Sequence, residues 1–147
     1  MRLTLFSDYS LRLLLYLAAH PDRLVSVPEV SRAYHISQNH LVKIVQLLVD
    51  EGLVESVRGR GGGLRLAHPP ASINIGAVVR VTEPDFDLVE CFDPKTNTCP
   101  IAPVCGLRPV LQRAKTAFLE ALDGYTLADF VPRAPALIKI WRRELGD

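Results

Sequence analysis

Three cysteines are the residues whose type and spacing indicate metal chemistry. Cys91, Cys99 and Cys105 are all the cysteines of the chain, and they lie in a proline-containing stretch, residues 90–105 ("ECFDPKTNTCPIAPVC"). Thiolates are soft ligands that suit iron–sulfur clusters, copper(I) or zinc. The spacing C-x7-C-x5-C lacks the C-x2-C pair of zinc ribbons and thioredoxin-type enzymes, and it differs from ferredoxin spacings. It favours a metal or iron–sulfur site over unliganded thiols, but three thiolates leave a fourth ligand to be identified.

The composition is that of one ordinary globular domain. The 147 residues are 48% hydrophobic and 22% charged, with a formal net charge of +1, so any basic surface must be local. The apolar run at residues 13–19 is far shorter than the roughly 20 residues of a membrane span. We expect a cytoplasmic protein without a membrane partner, a setting in which clustered cysteines more often bind metal or act in redox chemistry than form disulfides.

The first positioning element is an N-terminal helix. Its apolar residues recur at helical spacing: Leu11, Leu14, Leu15 and Ala18. The pattern predicts a buried helix that starts near Ser7 or Asp8 and ends before Pro21.

Two short helices joined by a brief turn follow. Ser26, with Glu29 three residues later, predicts a capping box for a helix at residues 28–34, and Ser37 is placed to cap the next helix. This is the helix-turn-helix pattern, in which the second helix reads DNA. Asn and Gln pair with adenine edges, and Lys reaches phosphate or guanine. The residues predicted to contact the major groove are Ser37, Gln38, Asn39, His40 and Lys43.

A basic hairpin comes next. The stretch "LVESVRGRGGGLRLA" predicts two short strands around a glycine-rich tip, within a segment, residues 56–70, that contains no acidic residue. Glycines let a backbone approach phosphate, and an arginine at a hairpin tip can enter the minor groove. The predicted DNA-contacting residues here are Arg58, Arg60, Gly61, Gly62, Gly63 and Arg65. Helix-turn-helix plus basic hairpin predicts a winged helix bound to double-stranded DNA; the alternative is a solvated turn with unrelated arginines.

The second half of the chain predicts a connection and an interface. Ser72 is placed to cap a linking helix, and a helix rich in Leu, Val and Phe begins after Gly106. That helix is too apolar for a lone surface helix and predicts a homodimer contact. We therefore expect a mostly α fold with a small β-hairpin wing. The predicted units are a winged helix-turn-helix at 1–70, a linking helix and cysteine loop at 71–105, and a long dimerisation helix with C-terminal helices at 106–147.

Several stretches together resemble a known family. "MRLTLFSDYSLR", "SQNHLVKIVQLL", "VRGRGGGLRLA", "INIGAVVRVTE", the cysteine trio and "LDGYTLADFV" are similar to the NsrR family of nitric-oxide-sensing iron–sulfur repressors, part of the winged-helix group that includes IscR. The resemblance covers about residues 1–131. It implies a homodimer that binds a palindromic operator and releases it when nitric oxide attacks an iron–sulfur cluster.

The resemblance also implies the ligand set. The three cysteines would hold each cluster, and the family's fourth ligand, an aspartate at the start of the partner subunit's first helix, matches Asp8. IscR-like proteins instead use a histidine three residues after the last cysteine, where this sequence has Arg108. Arg12, one turn after Asp8, would either neutralise cluster charge or form a solvent-facing salt bridge with Asp8. A four-iron four-sulfur (4Fe-4S) cluster is implied. The gap between Cys91 and Cys99 is longer than is usual in the family and leaves 2Fe-2S as the alternative.

Three other functions stay open at this point. One is a winged-helix regulator that senses iron–sulfur status or redox poise. Another is a thiol or iron–sulfur oxidoreductase, although the sequence has no C-x2-C, cofactor fold or paired acid and base, so we do not expect an enzyme. The last is a DNA-binding protein without a cluster.

Overall fold

Residues 2–147, which a computed structural model describes, form six α-helices and one two-stranded antiparallel sheet. In chain order these are α1 (Leu5–Ala18), α2 (Val27–Tyr34), α3 (Gln38–Asp50), β1 (Val54–Val57), β2 (Gly63–Leu66), α4 (Ile75–Thr82), α5 (Leu107–Asp123) and α6 (Ala134–Leu145). Short 3-10 turns lie at Pro70–Ser72, Glu90–Phe92, Ala102–Val104 and Leu127–Arg133. The predicted mostly α fold with a hairpin wing is confirmed.

The core is built around α1, which packs against α3, α4 and β2. Its side chains Leu13, Leu14 and Leu17 are almost completely buried. The buried side chains of α3 are Leu41, Ile44 and Leu48, at the i, i+3, i+7 spacing of one helix face. The helix-turn-helix is thus held by apolar burial, which leaves the opposite face of α3 free for another partner.

Helix α1 starts earlier than the sequence predicted. Thr4 is the N-cap, and its hydroxyl accepts a hydrogen bond from the Ser7 amide at 3.2 Å. The helix begins at Leu5, so the predicted start at Ser7 or Asp8 is wrong. Asp8 lies inside the first turn, where a carboxylate favours the positive end of the helix dipole.

Helix α4 is capped by Asn74, so the prediction of Ser72 is wrong. The Asn74 side-chain oxygen accepts from the Ala77 amide at 2.9 Å, whereas the Ser72 hydroxyl donates to the Pro69 carbonyl at 2.8 Å. Both residue types suit an N-cap, and the chain uses Ser72 to close the preceding 3-10 turn instead.

Half of the predicted capping box of α2 forms. Ser26 accepts from the Glu29 amide at 3.2 Å, but the Glu29 carboxylate turns away and accepts from the Tyr16 hydroxyl at 2.7 Å and from Arg23 at 3.0 Å. Burial alone would raise the pKa of Glu29, but the hydrogen bonds from Arg23 and Tyr16 outweigh it and hold the pKa below its usual value. This network ties α2 to α1.

The wing is a tight hairpin that is joined to the core by a β-bridge. Val54 pairs with Leu66 and Val57 with Gly63, while Leu64 also forms a bridge with Val25. A Cβ on Gly63 would lie 2.9 Å from the Val25 carbonyl oxygen, and one on Gly62 would lie 2.2 Å from the Val57 carbonyl oxygen. Both glycines are therefore required by the hairpin itself, whatever they contact outside it.

Helix α6 returns to the N-terminal half and packs on α2. Its Trp141 is 4% exposed and lies 4.6 Å from the ring centre of Tyr16 and 5.6 Å from that of Tyr34. Aromatic packing of this kind adds to the stabilisation from area burial. The winged helix-turn-helix together with α6 is called the head below.

We expect Trp141→Ala to lower the free energy of unfolding by about 3–5 kcal/mol, the usual cost of deleting a buried large aromatic side chain. Urea denaturation followed by circular dichroism, at one fixed protein concentration, measures this. Lys139→Ala, an exposed change on the same helix, is the matched control and should stay within about 0.5 kcal/mol of wild type. Equal effects of the two changes would contradict the aromatic anchor.

Candidate nucleic-acid interface and cysteine site

The first turn of α3 presents an exposed polar surface. Its predicted DNA-contacting residues are all exposed: Ser37, Gln38, Asn39, His40 and Lys43. Ser37 is the N-cap, but its hydroxyl makes no capping hydrogen bond. The unsatisfied amides of a helix start attract phosphate oxygens, so this end of α3 suits a DNA backbone as well as base edges.

The wing arginines are not equivalent. Arg58 and Arg60 are exposed at the tip and make no ion pair with any residue from 2 to 147. Arg65 lies on β2, and its Nε contacts Oε2 of Glu55, its cross-strand partner, at 2.7 Å. The charge of Arg65 is therefore partly offset, and the tip arginines carry the net positive charge of the wing.

The cysteines lie in a long connection between α4 and α5. No residue from 83 to 126 is buried, so the loop and α5 have no core of their own in a single chain. The connection is ordered by polar contacts instead. The Asp93 carboxylate accepts from the Lys95 amide at 2.9 Å and from the Thr96 hydroxyl at 3.0 Å, which folds the residues after Cys91 into an exposed turn.

One contact brings two cysteine-bearing segments together. The Thr98 hydroxyl donates to the Glu90 carboxylate at 2.6 Å, and the Thr98 amide donates to the same oxygen. These hydrogen bonds lower the pKa of the Glu90 carboxyl. Because Cys91 follows Glu90 and Cys99 follows Thr98, the long gap between the two cysteines closes into a turn with both at its base.

The thiols fit an iron–sulfur group by their chemistry. Cys91, Cys99 and Cys105 are free and half-buried. Within residues 2–147, however, no three His, Cys, Asp or Glu side chains come close enough to hold a metal ion. The single chain thus supplies three soft donors in an accessible loop, and their assembly into one site requires an approach that the isolated chain does not make.

Asp8 is accessible but already has a partner. Its two carboxylate oxygens accept from Arg12 Nε at 2.9 Å and Nη2 at 2.6 Å, and the two side chains are 38% and 42% exposed. The Arg12 guanidinium also lies 5.5 Å from the ring centre of Tyr9. The structure therefore places the predicted pair, Asp8 and Arg12, side by side on α1, and among residues 2–147 Asp8 belongs to no group of three or more side chains that could hold a metal ion.

A contact that the sequence did not reveal connects α1 to the cysteine loop. Glu83, which ends α4 and begins the loop, accepts from the Thr4 amide at 2.7 Å and from the Thr4 hydroxyl at 3.0 Å. The two residues are 79 positions apart, so no local pattern signals their meeting. The start of the helix that carries Asp8 is thereby tied to the start of the loop that carries the cysteines.

Among the described residues, no helix combines the length and the apolar character needed to cross a membrane.

Comparisons with known proteins agree on one family. Residues 3–133 match Rrf2, described as an iron-dependent transcriptional regulator. The chain is 50% identical to the HTH-type transcriptional regulator NsrR of Bacillus subtilis over 141 residues, 95% of this chain and 97% of that protein. It is 54% identical to the NsrR regulator of Halalkalibacterium halodurans over 132 residues, 89% of this chain and 90% of that protein.

A solved structure supports the same conclusion. T. potens IscR superposes with a TM-score of 0.73 at 28% identity, covering 91% of this chain and 88% of that one. The resemblance inferred from the motifs is confirmed, and a regulator rather than an enzyme is what the family contains. This chain belongs to the Rrf2 family of iron-dependent transcriptional regulators.

Proposed function

We propose that the chain is a nitric-oxide-responsive repressor. As a homodimer it carries an iron–sulfur cluster on Cys91, Cys99, Cys105 and Asp8 of the partner subunit, and it binds a palindromic operator. The observation that carries the proposal is the 50% identity to an NsrR regulator over nearly the whole of both chains. The cluster is taken as 4Fe-4S, with 2Fe-2S as the alternative.

The exposed apolar side of α5 supports the homodimer. None of its residues is buried, and Leu107 and Val110 are 60% and 56% exposed. Covering one such side chain completely is worth about 1.5–3 kcal/mol, which a facing copy of the same helix would provide. We assign residues 1–70 to DNA binding, 71–105 to linkage and the cluster, and 106–147 to dimerisation, with α6 docked on the head.

The Asp8–Arg12 pair supports a reversible ligand. A half-exposed ion pair of this kind is worth only about 0.2–1 kcal/mol, so Arg12 resists the transfer of Asp8 to a metal only weakly. An Asp8 carboxylate that is not a ligand would pair with Arg12, as it does in the single chain, so no carboxylate would be left unpaired. Arg12 can also remain beside the ligated carboxylate and offset its charge.

When bound, the cluster supplies iron that nitric oxide can attack, most readily where the ligand is the hard carboxylate oxygen of Asp8. Release of Asp8 frees α1 from the opposite subunit. Because Glu83 holds the cap of α1, the same release loosens the entry to the cysteine loop. A coupling of about 1–3 kcal/mol between the two states changes operator affinity about 5- to 150-fold, enough for a switch.

The DNA contacts follow from exposure and charge. The start of α3 would read bases through Gln38, Asn39 and His40, with Ser37 and Lys43 on the backbone. The wing tip, through Arg58, Arg60 and the glycines at 61–63, would lie against phosphate and the minor groove, and Arg65 would contribute less because Glu55 already pairs with it.

The decisive experiment is an anaerobic titration of the cluster-loaded protein with nitric oxide, with operator binding followed by fluorescence anisotropy. Operator affinity should fall about 5- to 150-fold. Oxygen and peroxide titrations serve as the comparison. A response to these oxidants but not to nitric oxide would favour the redox-sensing alternative and contradict the proposal.

Asp8→Ala should leave the protein folded, because only a half-exposed side chain changes, but cluster-dependent operator affinity should fall and the response to nitric oxide should shrink. Binding by the cluster-free protein should not change. Asp22→Ala, an exposed carboxylate after α1, is the control. Wild-type switching in Asp8→Ala would remove Asp8 from the mechanism.

Replacing Cys91, Cys99 or Cys105 with alanine should each remove most of the bound iron and acid-labile sulfide after anaerobic purification, because a cluster held by three thiolates loses a ligand. Lys95→Ala, in the exposed turn between the first two cysteines, should keep wild-type contents. A cysteine variant with full iron and sulfide would not contribute a ligand.

Lys43→Ala, Arg58→Ala and Arg60→Ala should each lower the slope of log affinity against log salt by about 1, since each removes one phosphate-contacting charge. Arg65→Ala should lower this slope less, and Glu55→Gln, which frees Arg65, should raise it.

Asn39→Ala, which removes a base-reading side chain, should instead cost about 1–3 kcal/mol of binding free energy on the operator and little on random DNA. A uniform loss across all DNA in every variant would contradict this division of roles.

A further inference from the structure

Helix α5 is fixed to the head at its C-terminal end by a small joint of mainly polar contacts. None of its residues is buried and, within residues 2–147, Leu122 is its one side chain that packs against the core, so the core constrains its direction only weakly. Just beyond it the chain re-enters the core at Leu127, which is 2% exposed. The direction of α5 therefore depends mainly on the contacts between its C-terminal end and α4, in which Asp123 has the largest part.

The backbone part of the joint is an antiparallel bridge between Asn74 and Thr126. The Ile75 amide donates to the Tyr125 carbonyl at 3.0 Å, and the Leu127 amide donates to the Ile73 carbonyl at 2.9 Å. Ile73 and Leu127 are both almost fully buried, so the bridge is anchored in the core of the head.

One side chain serves the ends of both helices. Asn74 caps α4 through its side-chain oxygen, and its side-chain nitrogen donates to the carbonyls of Asp123 at 2.8 Å and Tyr125 at 3.2 Å. The first carbonyl belongs to the unsatisfied C-terminal end of α5. The same amide thus satisfies a free amide of α4 and a free carbonyl of α5.

A two-point ion pair crosses the joint. Arg80 Nη1 and Nη2 donate to the two carboxylate oxygens of Asp123 at 2.5 and 2.7 Å. Such fork-to-fork pairs fix relative orientation as well as distance. Because Arg80 lies on α4 and Asp123 ends α5, the pair defines the angle between the two helices.

Gly76 makes this geometry possible. A Cβ at position 76 would lie 1.9 Å from Oδ1 of Asp123 and 2.8 Å from Nη1 of Arg80. Any side chain here must displace Asp123 or break its pair with Arg80. Glycine costs about 0.5–1 kcal/mol relative to alanine in a helix, and the close passage of Asp123 accounts for its presence.

We propose that Asn74, Gly76, Arg80 and Asp123 are positioning residues that fix the angle at which α5 leaves the head and thereby set the operator half-site spacing that the protein accepts. The inference rests on the proposed dimerisation through α5. In a dimer joined by two copies of α5, this angle determines the distance between the two recognition helices. Half-sites in such dimers lie about one DNA turn apart, so a small change of angle alters the preferred spacing.

The test begins with a DNA site selected from a random pool by the wild-type cluster-loaded protein. Affinity is then measured for that site and for versions with one base pair inserted or removed between the half-sites. For Gly76→Ala, Arg80→Ala and Asp123→Ala, the ratio of affinities between native and altered spacing should fall about threefold or more, as expected for loss of a coupled contact. Iron content and dimer mass in the ultracentrifuge should stay at wild-type values.

The ratio separates the joint from simple charge effects, because loss of a positive charge weakens binding to every spacing alike. Arg143→Ala, an exposed charge on α6 and outside the proposed dimer helix, is the matched control and should leave the ratio unchanged. The exchange Arg80→Glu with Asp123→Arg should restore the ratio, which guards against a single variant that simply misfolds.

Two outcomes overturn the inference in different ways. If the wild-type protein selects a two-fold site but the variants keep its spacing ratio, the joint does not set the spacing and the proposed function stands. If the wild-type protein selects no two-fold site or remains a monomer, the proposed function fails and the inference fails with it.

Discussion

Apolar burial is distributed unevenly along this chain, and the rest of the structure depends on that. The head almost completely buries Leu13, Leu14 and Leu17 of α1 and Leu41 and Leu48 of α3, whereas no residue from 83 to 126 is buried. Fixing each residue of that segment costs about 1–2 kcal/mol of backbone entropy, and exposed hydrogen bonds such as Glu90–Thr98 return little of it. In the proposed dimer, a partner helix against α5 and a cluster on the cysteines would therefore contribute to the order of this half of the protein. The proposed sensing would then be linked to folding, because the same contacts would serve both.

Helix α4 contacts or leads into both segments that have no buried residues, the cysteine loop and α5. Asn74 at the N-terminal end of α4 and Arg80 in its last turn contact the end of α5, and Glu83 at its C-terminal end accepts hydrogen bonds from the Thr4 cap of α1. Between these ends Val78 and Val79 are buried in the head. A short, buried helix behaves as a rigid body, so a displacement at one end is felt at the other rather than absorbed. This contiguous element gives a physical route from the cysteine loop to α5, and its importance rests on contacts rather than on proximity alone.

The sequence predicted the elements whose signals are local. Ser26, Ser37 and the "RGRGGG" turn placed α2, α3 and the wing correctly, because apolar periodicity and turn chemistry act over a few residues. The caps of α1 and α4 were misplaced, since Thr4 and Asn74 are chosen by Glu83 and Asp123, which are remote in sequence. The pairing of Arg65 with Glu55 likewise depends on strand register. Residue type identified the three cysteines as ligand candidates, whereas Asp8 entered only through family resemblance, because beside Arg12 it looks like an ordinary surface ion pair.

The near-neutral charge of a DNA-binding protein follows from how its arginines are used. Arg12, Arg23 and Arg80 are engaged by carboxylates within the fold, where they fix a ligand candidate, the α1–α2 contact and the α5 joint. Each such pair cancels in the net charge and contributes nothing to the attraction of phosphate. Binding depends on local potential, so the charges proposed to contact DNA are those left without carboxylates, at the start of α3 and at the wing tip. The net charge of +1 therefore counts arginines that stabilise the fold alongside those proposed to face DNA, and only the contacts in the structure distinguish the two groups.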